Sequence, residues 1–298
     1  MTNHNIDRGR FESKCPPTSA LCALLFFVTC AVTGVAASAQ QTPSNSTSSE
    51  LTPRQRSIEK ERLRLSSGDQ EERRDAVMRL ASMKHPDASR AASSALADSA
   101  SIIRATATGA VLSLPSEQAV VLLLPLLKDK NEFVRREAAY ALGETRNSRA
   151  VEGLVAALET DKESGVRGAA AVALGLIGDE KALNPLAGSI DLKIHSSLTS
   201  DPRKKSKVEK DVFVQRSAVR SLGQIGSRIA VPVLSAAMTN ERLTFDVRRE
   251  AANSLGLIGD PSAVPVLRTV LDAPDAYLSK AAFDALARIT RYESQRKR

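Results

Sequence analysis

Residues 129–161 read DKNEFVRREAAYALGETRNSRAVEGLVAALETD, and the organisation of the chain follows from them. Wound as a helix, the first half puts Val134, Ala138, Ala141 and Leu142 on one face. In the second half Val151, Leu154, Val155 and Leu158 recur at i, i+3, i+4 and i+7, the spacing of a second amphipathic helix. The segment is therefore a helical hairpin with apolar faces it cannot bury alone.

Copies follow on both sides. Residues 161–191 read DKESGVRGAAAVALGLIGDEKALNPLAGSID, residues 213–238 FVQRSAVRSLGQIGSRIAVPVLSAAM, and residues 245–272 FDVRREAANSLGLIGDPSAVPVLRTVLD. Weaker copies begin near Asp69, Asp98 and Asp272. Aligned on the Val-Arg position, the anchors are Arg73, Arg104, Arg135, Arg167, Gln215, Arg248 and Ser279, with steps of 31, 31, 32, 48, 33 and 31 residues. Gly178, Gly226 and Gly259 stand where the first helix must stop, since glycine tolerates the left-handed cap. Pro232 and Pro265 stand at the start of the second helix, where a missing N–H costs nothing. About seven hairpins stacked side by side give an all-α solenoid with one continuous core over residues 69–291.

The shared pattern VRxxAAxALGxIGDxxAVPxL resembles the HEAT-repeat family, in its short bacterial subtype related to the repeats of bilin lyases. That resemblance implies a right-handed α-solenoid, with first helices on the convex face and second helices on the concave one. It also implies a structural role for the recurring Asp and Arg. Asp98 and Arg104, Asp129 and Arg135, and Asp161 and Arg167 each lie six apart, with Arg248 in the same register. They are read as a ladder in which each guanidinium bonds a carboxylate and loop carbonyls of its own or the adjacent repeat. Gln215 breaks that ladder. Within the wider family, deoxyhypusine hydroxylases hold a metal pair with His-Glu dipeptides. Here His4, His85 and His195 are followed by Asn5, Pro86 and Ser196, so that motif is missing at every histidine. Nothing singles out a chromophore site like that of a bilin lyase.

At the amino terminus, residues 15–49 contain no charged side chain, and residues 21–37 are strongly apolar. Arg8, Arg10 and Lys14 precede the run, and Ala37-Ser38-Ala39 follows it. Basic leader, apolar run and small-residue site are the parts of a secretory signal spanning residues 1–39. An uncleaved membrane anchor over residues 18–39 is the competing reading. Either one puts the protein outside the cytoplasm, in the periplasm or held at the inner membrane. Residues 40–53 form a Ser/Thr/Pro-rich linker with nothing to bury, and residues 54–68 a capping helix with Pro53 near its start. A basic tail over residues 292–298 closes the chain.

Composition narrows the function. The three cysteines, Cys15, Cys22 and Cys30, all lie in the leader, so removing it leaves no thiol for disulfide, metal or nucleophile. A Ser/His/Asp site around His195 would need a rigid scaffold and an oxyanion hole, and its surroundings offer neither. No phosphate-loop, dinucleotide or zinc spacing occurs. The net charge is +8, yet there is no Trp and aromatics are 3%, which argues against stacking on nucleic acid. The reading is a non-catalytic, exported scaffold for another protein, with no metal, cofactor or small-molecule substrate. Its docking face is expected on the second helices near Glu152, Leu154, Ser235, Arg268 and Thr269. A different class of partner, an anionic surface, is suggested by the insertion of about sixteen residues between the fourth and fifth repeats. Read as a loop over residues 193–210, it carries Lys193, Arg203, Lys204, Lys205, Lys207 and Lys210.

Overall fold

The computed structural model describes residues 51–190 and 202–296; the leader, most of the linker, Lys193, His195 and the last two residues lie outside them. Helix α1 (Pro53–Arg64) starts on a capping box, with the Thr52 hydroxyl and the Gln55 side chain each accepting the other's backbone N–H. Six hairpins follow: α2 (Gln70–Ser82) with α3 (Pro86–Ala92), α4 (Ser101–Ala110) with α5 (Ser116–Leu123), and α6 (Glu132–Glu144) with α7 (Val151–Thr160). Then come α8 (Ser164–Ile177) with α9 (Leu183–Ser189), α10 (Pro202–Ile225) with α11 (Val231–Thr239), and α12 (Phe245–Ile258) with α13 (Val264–Arg268). The seventh anchor, Ser279, falls on a single long helix, α14 (Ala276–Arg296), so six hairpins are complete and residues 292–296 are helical rather than a tail. Each first helix packs on the first helices before and after it, and the second helices line up beside them as another layer. No strand occurs among the described residues, and the fold is an all-α solenoid.

Local chemistry sets the hairpin turns. Gly178, Gly226 and Gly259 close their first helices at φ of 77°, 75° and 70°. At the same place Lys84 and Arg146 are forced to φ of 46° and 50°, a region that side chains with a β-carbon tolerate poorly. In four of the hairpins a short 3-10 turn, over residues 148–150, 180–182, 228–230 and 261–263, then leads into the second helix. Its first N–H groups are met by Asn147, Asp179 and Asp260, whose side chains accept from Arg149, Lys181 and Ser262. Pro232 and Pro265 sit in the first turn of α11 and α13.

The expected apolar faces are the core. Val134, Ala138, Leu142, Leu154 and Leu158 are at most 2% exposed. Seven residues after the anchor, Leu80, Leu142, Leu174, Leu222 and Leu255 form a row no more than 1% exposed, each contributing about 2 kcal/mol by burial. One residue further on, four of these five are followed by glycine, Gly143, Gly175, Gly223 and Gly256, so that neighbouring first helices can touch. A β-carbon at Gly143 would stand 2.7 Å from the Ala173 α-carbon, and one at Gly256 would stand 2.8 Å from that of Ala285. Where the facing residue is serine it also closes a hydrogen bond: Ser221 donates to the Ala171 carbonyl at 2.8 Å and Ser254 to Val219 at 3.0 Å.

The charged ladder links adjacent repeats. Arg104 donates through Nε and Nη2 to the Asp129 carboxylate of the next repeat at 2.7 and 2.9 Å. Its Nη1 bonds the carbonyls of Asp98 and Ser99 in its own loop. Arg135 does the same with Asp161 and the Asp129 carbonyl, and Arg73 with Asp98 and the Ser67 carbonyl. Residues six apart thus meet through the main chain, and the ion pair reaches the following repeat. Asp98, Asp129 and Asp161 in turn accept the N–H of Ala100, Asn131 and Glu163, which fixes the loop that leads into the helix. Arg167 opens the same pattern on the carbonyls of Asp161 and Lys162.

Arg248 departs from this expected register. Its Nε donates to the Met238 carbonyl at 2.9 Å, and Arg249 takes the next carboxylate, Asp275. The loop ahead of α12 explains the shift, because Asn240 precedes its anchor by eight residues where Asp129 precedes Arg135 by six. The insertion differs too. Its second half is helix rather than loop: α6, α8 and α12 begin three residues before their anchors, whereas α10 begins thirteen before Gln215. Proline at the first position and a run of lysine, arginine and glutamate suit a helix, so the extension follows from propensity.

The hydrogen bond from Arg73 holds the Asp98 carboxyl below its ordinary value, and that from Arg104 does the same for Asp129. At Asp161 burial raises the value, but Arg135 and the Glu163 N–H outweigh it and the result is lowered. A depressed folded value gives stability that is complete above the unfolded carboxylate range and lost as pH falls through the folded one. Melting temperature should therefore hold from pH 7 to 5 and drop below pH 4. Asp129→Asn should melt lower at pH 7 and show a shallower acid decline, while a parallel decline would assign the acid lability elsewhere. Leu222→Asp should remove several kcal/mol, because an unpaired carboxylate cannot be buried there; an unchanged melting curve would refute the repeat register. Gly143→Ala should cost about 2 kcal/mol by overpacking against Ala173, read from urea denaturation midpoints.

Candidate docking groove on the second helices

The second-helix layer is broken by a groove where α5, α7 and the 3-10 turn over residues 124–128 meet. Its hollow of about 860 Å³ is floored by Val121, Leu124, Pro125 and Ala156, with Lys128, Arg149 and Glu152 on the rim. A second hollow of about 420 Å³ continues it toward α3, sharing Val121 and Arg149 and adding Arg90, Leu114 and Glu117. Sequence positions this for plain reasons. Gly153 lets α7 close on Leu124, since a β-carbon there would lie 2.7 Å from the leucine δ-carbon. Val121 points outward at 65% exposure, an apolar side chain at the centre of the groove. Arg149 and Glu117 face each other at 3.5 Å across two repeats, both about two-thirds exposed, so solvent screens them.

Among the candidate binding residues whose side chains are described, only Glu152 lines this groove, and Lys193 lies outside the described residues. Leu154 is buried at 0% exposure and belongs to the core, not to a binding surface. Ser235 is half-buried on α11; Arg268 ends α13, and Thr269 follows it with its hydroxyl turned onto the Val266 carbonyl at 2.7 Å. These three lie outside the groove. Arg203, Lys204, Lys205, Lys207 and Lys210 all fall on the amino-terminal extension of α10. Val121, Arg149 and Gly153 were missed by sequence reading, which had no signal for where adjacent second helices part.

The carboxyls held low, Glu59, Asp98, Asp129, Asp161 and Asp275, each answer to an arginine fork. His85 caps α3, its Nδ1 accepting the Asp87 N–H at 3.2 Å. Among the described residues no cluster of His, Cys, Asp and Glu is placed to hold a metal, and no helix is long and apolar enough to cross a membrane.

The model of the HEAT-repeat family matches residues 60–143, 120–196 and 208–287. Among solved structures, the Escherichia coli protein YibA is 17% identical with a TM-score of 0.54, over 80% of this chain and 82% of that one. The CpcE–CpcF complex of phycocyanin lyase from Nostoc is 23% identical with a TM-score of 0.44, over 84% and 81%. Human deoxyhypusine hydroxylase in complex with glycerol is 20% identical with a TM-score of 0.38, over 79% and 96%. The likeness to YibA shows the fold alone. No curated protein matches the sequence. Three matches that together span most of the chain settle its membership: this protein belongs to the HEAT-repeat family.

Proposed function

We propose that the protein is a non-catalytic, exported scaffold whose second-helix groove receives a segment of another protein. The carrying observation is the groove's make-up, an apolar floor around exposed Val121 with both signs of charge on its rim. A rim of Arg90, Lys128 and Arg149 interleaved with Glu117 and Glu152 suits a polypeptide with an apolar anchor and mixed polar flanks. A polyanion would want one sign throughout. Repeat solenoids bind through extended surfaces of this kind, with affinity spread over neighbouring repeats. Export rests on the uncharged run over residues 15–49 and the Ala37-Ser38-Ala39 site.

A second reading has its own observation. Helix α10 starts ten residues earlier than its siblings, so about 15 Å of extra helix carries Arg203, Lys204, Lys205, Lys207 and Lys210. Such a strip suits an anionic surface, lipid or protein, and its binding would fall steeply with salt.

Capture from an extracytoplasmic and membrane extract separates the two. Val121→Glu should fold as the parent does, because the site is exposed, and lose the captured protein by roughly tenfold or more. Alanine at Lys204, Lys205 and Lys207 together should leave capture intact. The reverse pattern would move the function to the α10 extension, and equal capture by all three proteins would remove both sites.

A further inference from the structure

The last helix presents a face that its siblings bury. Four residues after the anchor stand Thr108 in α4, Ala139 in α6, Ala171 in α8, Val219 in α10 and Ala252 in α12, all at most 3% exposed. Ala171 and Val219 are met there by Ser221 and Ser254 of the next first helix. In α14 this place holds Phe283, 62% exposed, and the glycine place four residues later holds exposed Ala287. Seven aromatic side chains lie beyond residue 50, and four of them, Phe245, Tyr277, Phe283 and Tyr292, fall on α12 and α14 at 44–73% exposure. Tyr292 turns back toward Gly259 and Tyr277 lies under Arg249, but an aromatic ring left exposed at the place its siblings bury, as Phe283 is, marks an interface more than a solvated end.

We propose that this face is homotypic, a second copy laying its own α14 antiparallel across it about a two-fold axis near residue 282. A two-fold contact must be self-complementary, and the sequence of α14 is so in this register. Residues whose numbers add to 564 stand opposite one another. Lys280 then faces Asp284 of the other copy, and each copy supplies both partners. Within one chain these two already pair at 2.6 Å, so the exchange is like for like. Bulky Tyr277 meets small Ala287, and the two Phe283 rings adjoin at the axis. A single pair of helices is a small interface, so association is reversible and concentration-dependent.

The test uses the full chain with benzoylphenylalanine, a photo-crosslinking residue, in place of Phe283. Irradiation should give a product of twice the chain mass, its cross-link mapping within residues 276–291 of the second copy. Lys280→Asp makes the seam acidic at both places and Asp284→Lys makes it basic at both. Each variant alone should lose the product by roughly tenfold or more, through like charges set face to face. Mixed one to one they should restore it, and circular dichroism of each should match the parent because both positions are on the surface. No doubled product, a cross-link mapping elsewhere, an adduct to a different protein, or no restoration on mixing would each overturn the proposal.

Discussion

An arginine fork that reaches one repeat ahead is the contact on which the rest of this structure depends. Arg73, Arg104 and Arg135 each hold their own loop by its carbonyls and clamp the carboxylate that caps the next. Side chains on both partners of the two inner pairs are no more than 9% exposed. Charges so placed are costly to desolvate, and they are kept because the geometry is bidentate and the third nitrogen of the fork bonds loop carbonyls. One contact therefore sets helix spacing, loop conformation and direction of stacking together. Lysine could not replace it, having a point charge where a planar fork is needed.

The ladder's change of chemistry at the fifth repeat follows the same logic. Gln215 is 4% exposed at the arginine's place, and Asn240 stands 25 residues on at the carboxylate's, accepting the Arg242 N–H at 3.0 Å. Losing one charge of a buried pair strands the other, so the tolerable change removes both. The cost persists as a buried Gln215 Nε2 with no partner. Beyond it the pairing slips by one residue, to Arg249 and Asp275.

Much of the fold was legible because a repeat states its own register several times. Apolar periodicity placed the core, and Gly178, Gly226 and Gly259 marked turns that only a left-handed residue closes easily. What periodicity could not show is which neighbour an arginine reaches, since own and adjacent repeats offer the same residue types. It also read residues 193–210 as loop, although helix α10 begins at Pro202, because an insertion interrupts the repeat while helix propensity runs on. The groove was the least legible part. It depends on Gly153 letting α7 settle against Leu124, a relation between repeats that no single repeat encodes. Leu154 was named both on the apolar face and near the docking surface for a related reason: one helix turn carries both core and rim, and only packing separates it from Glu152.

If stability passes from repeat to repeat through these forks, damage at one junction should stay local. Hydrogen exchange read peptide by peptide, on the parent and on Arg104→Ala, tests this most directly. The account predicts faster exchange across α4 to α7, on both sides of the lost Arg104–Asp129 pair, with α12 and α14 unchanged. Equal acceleration along the whole solenoid would contradict it, as would no change in α6, since either would mean that the fork is not what couples one repeat to the next.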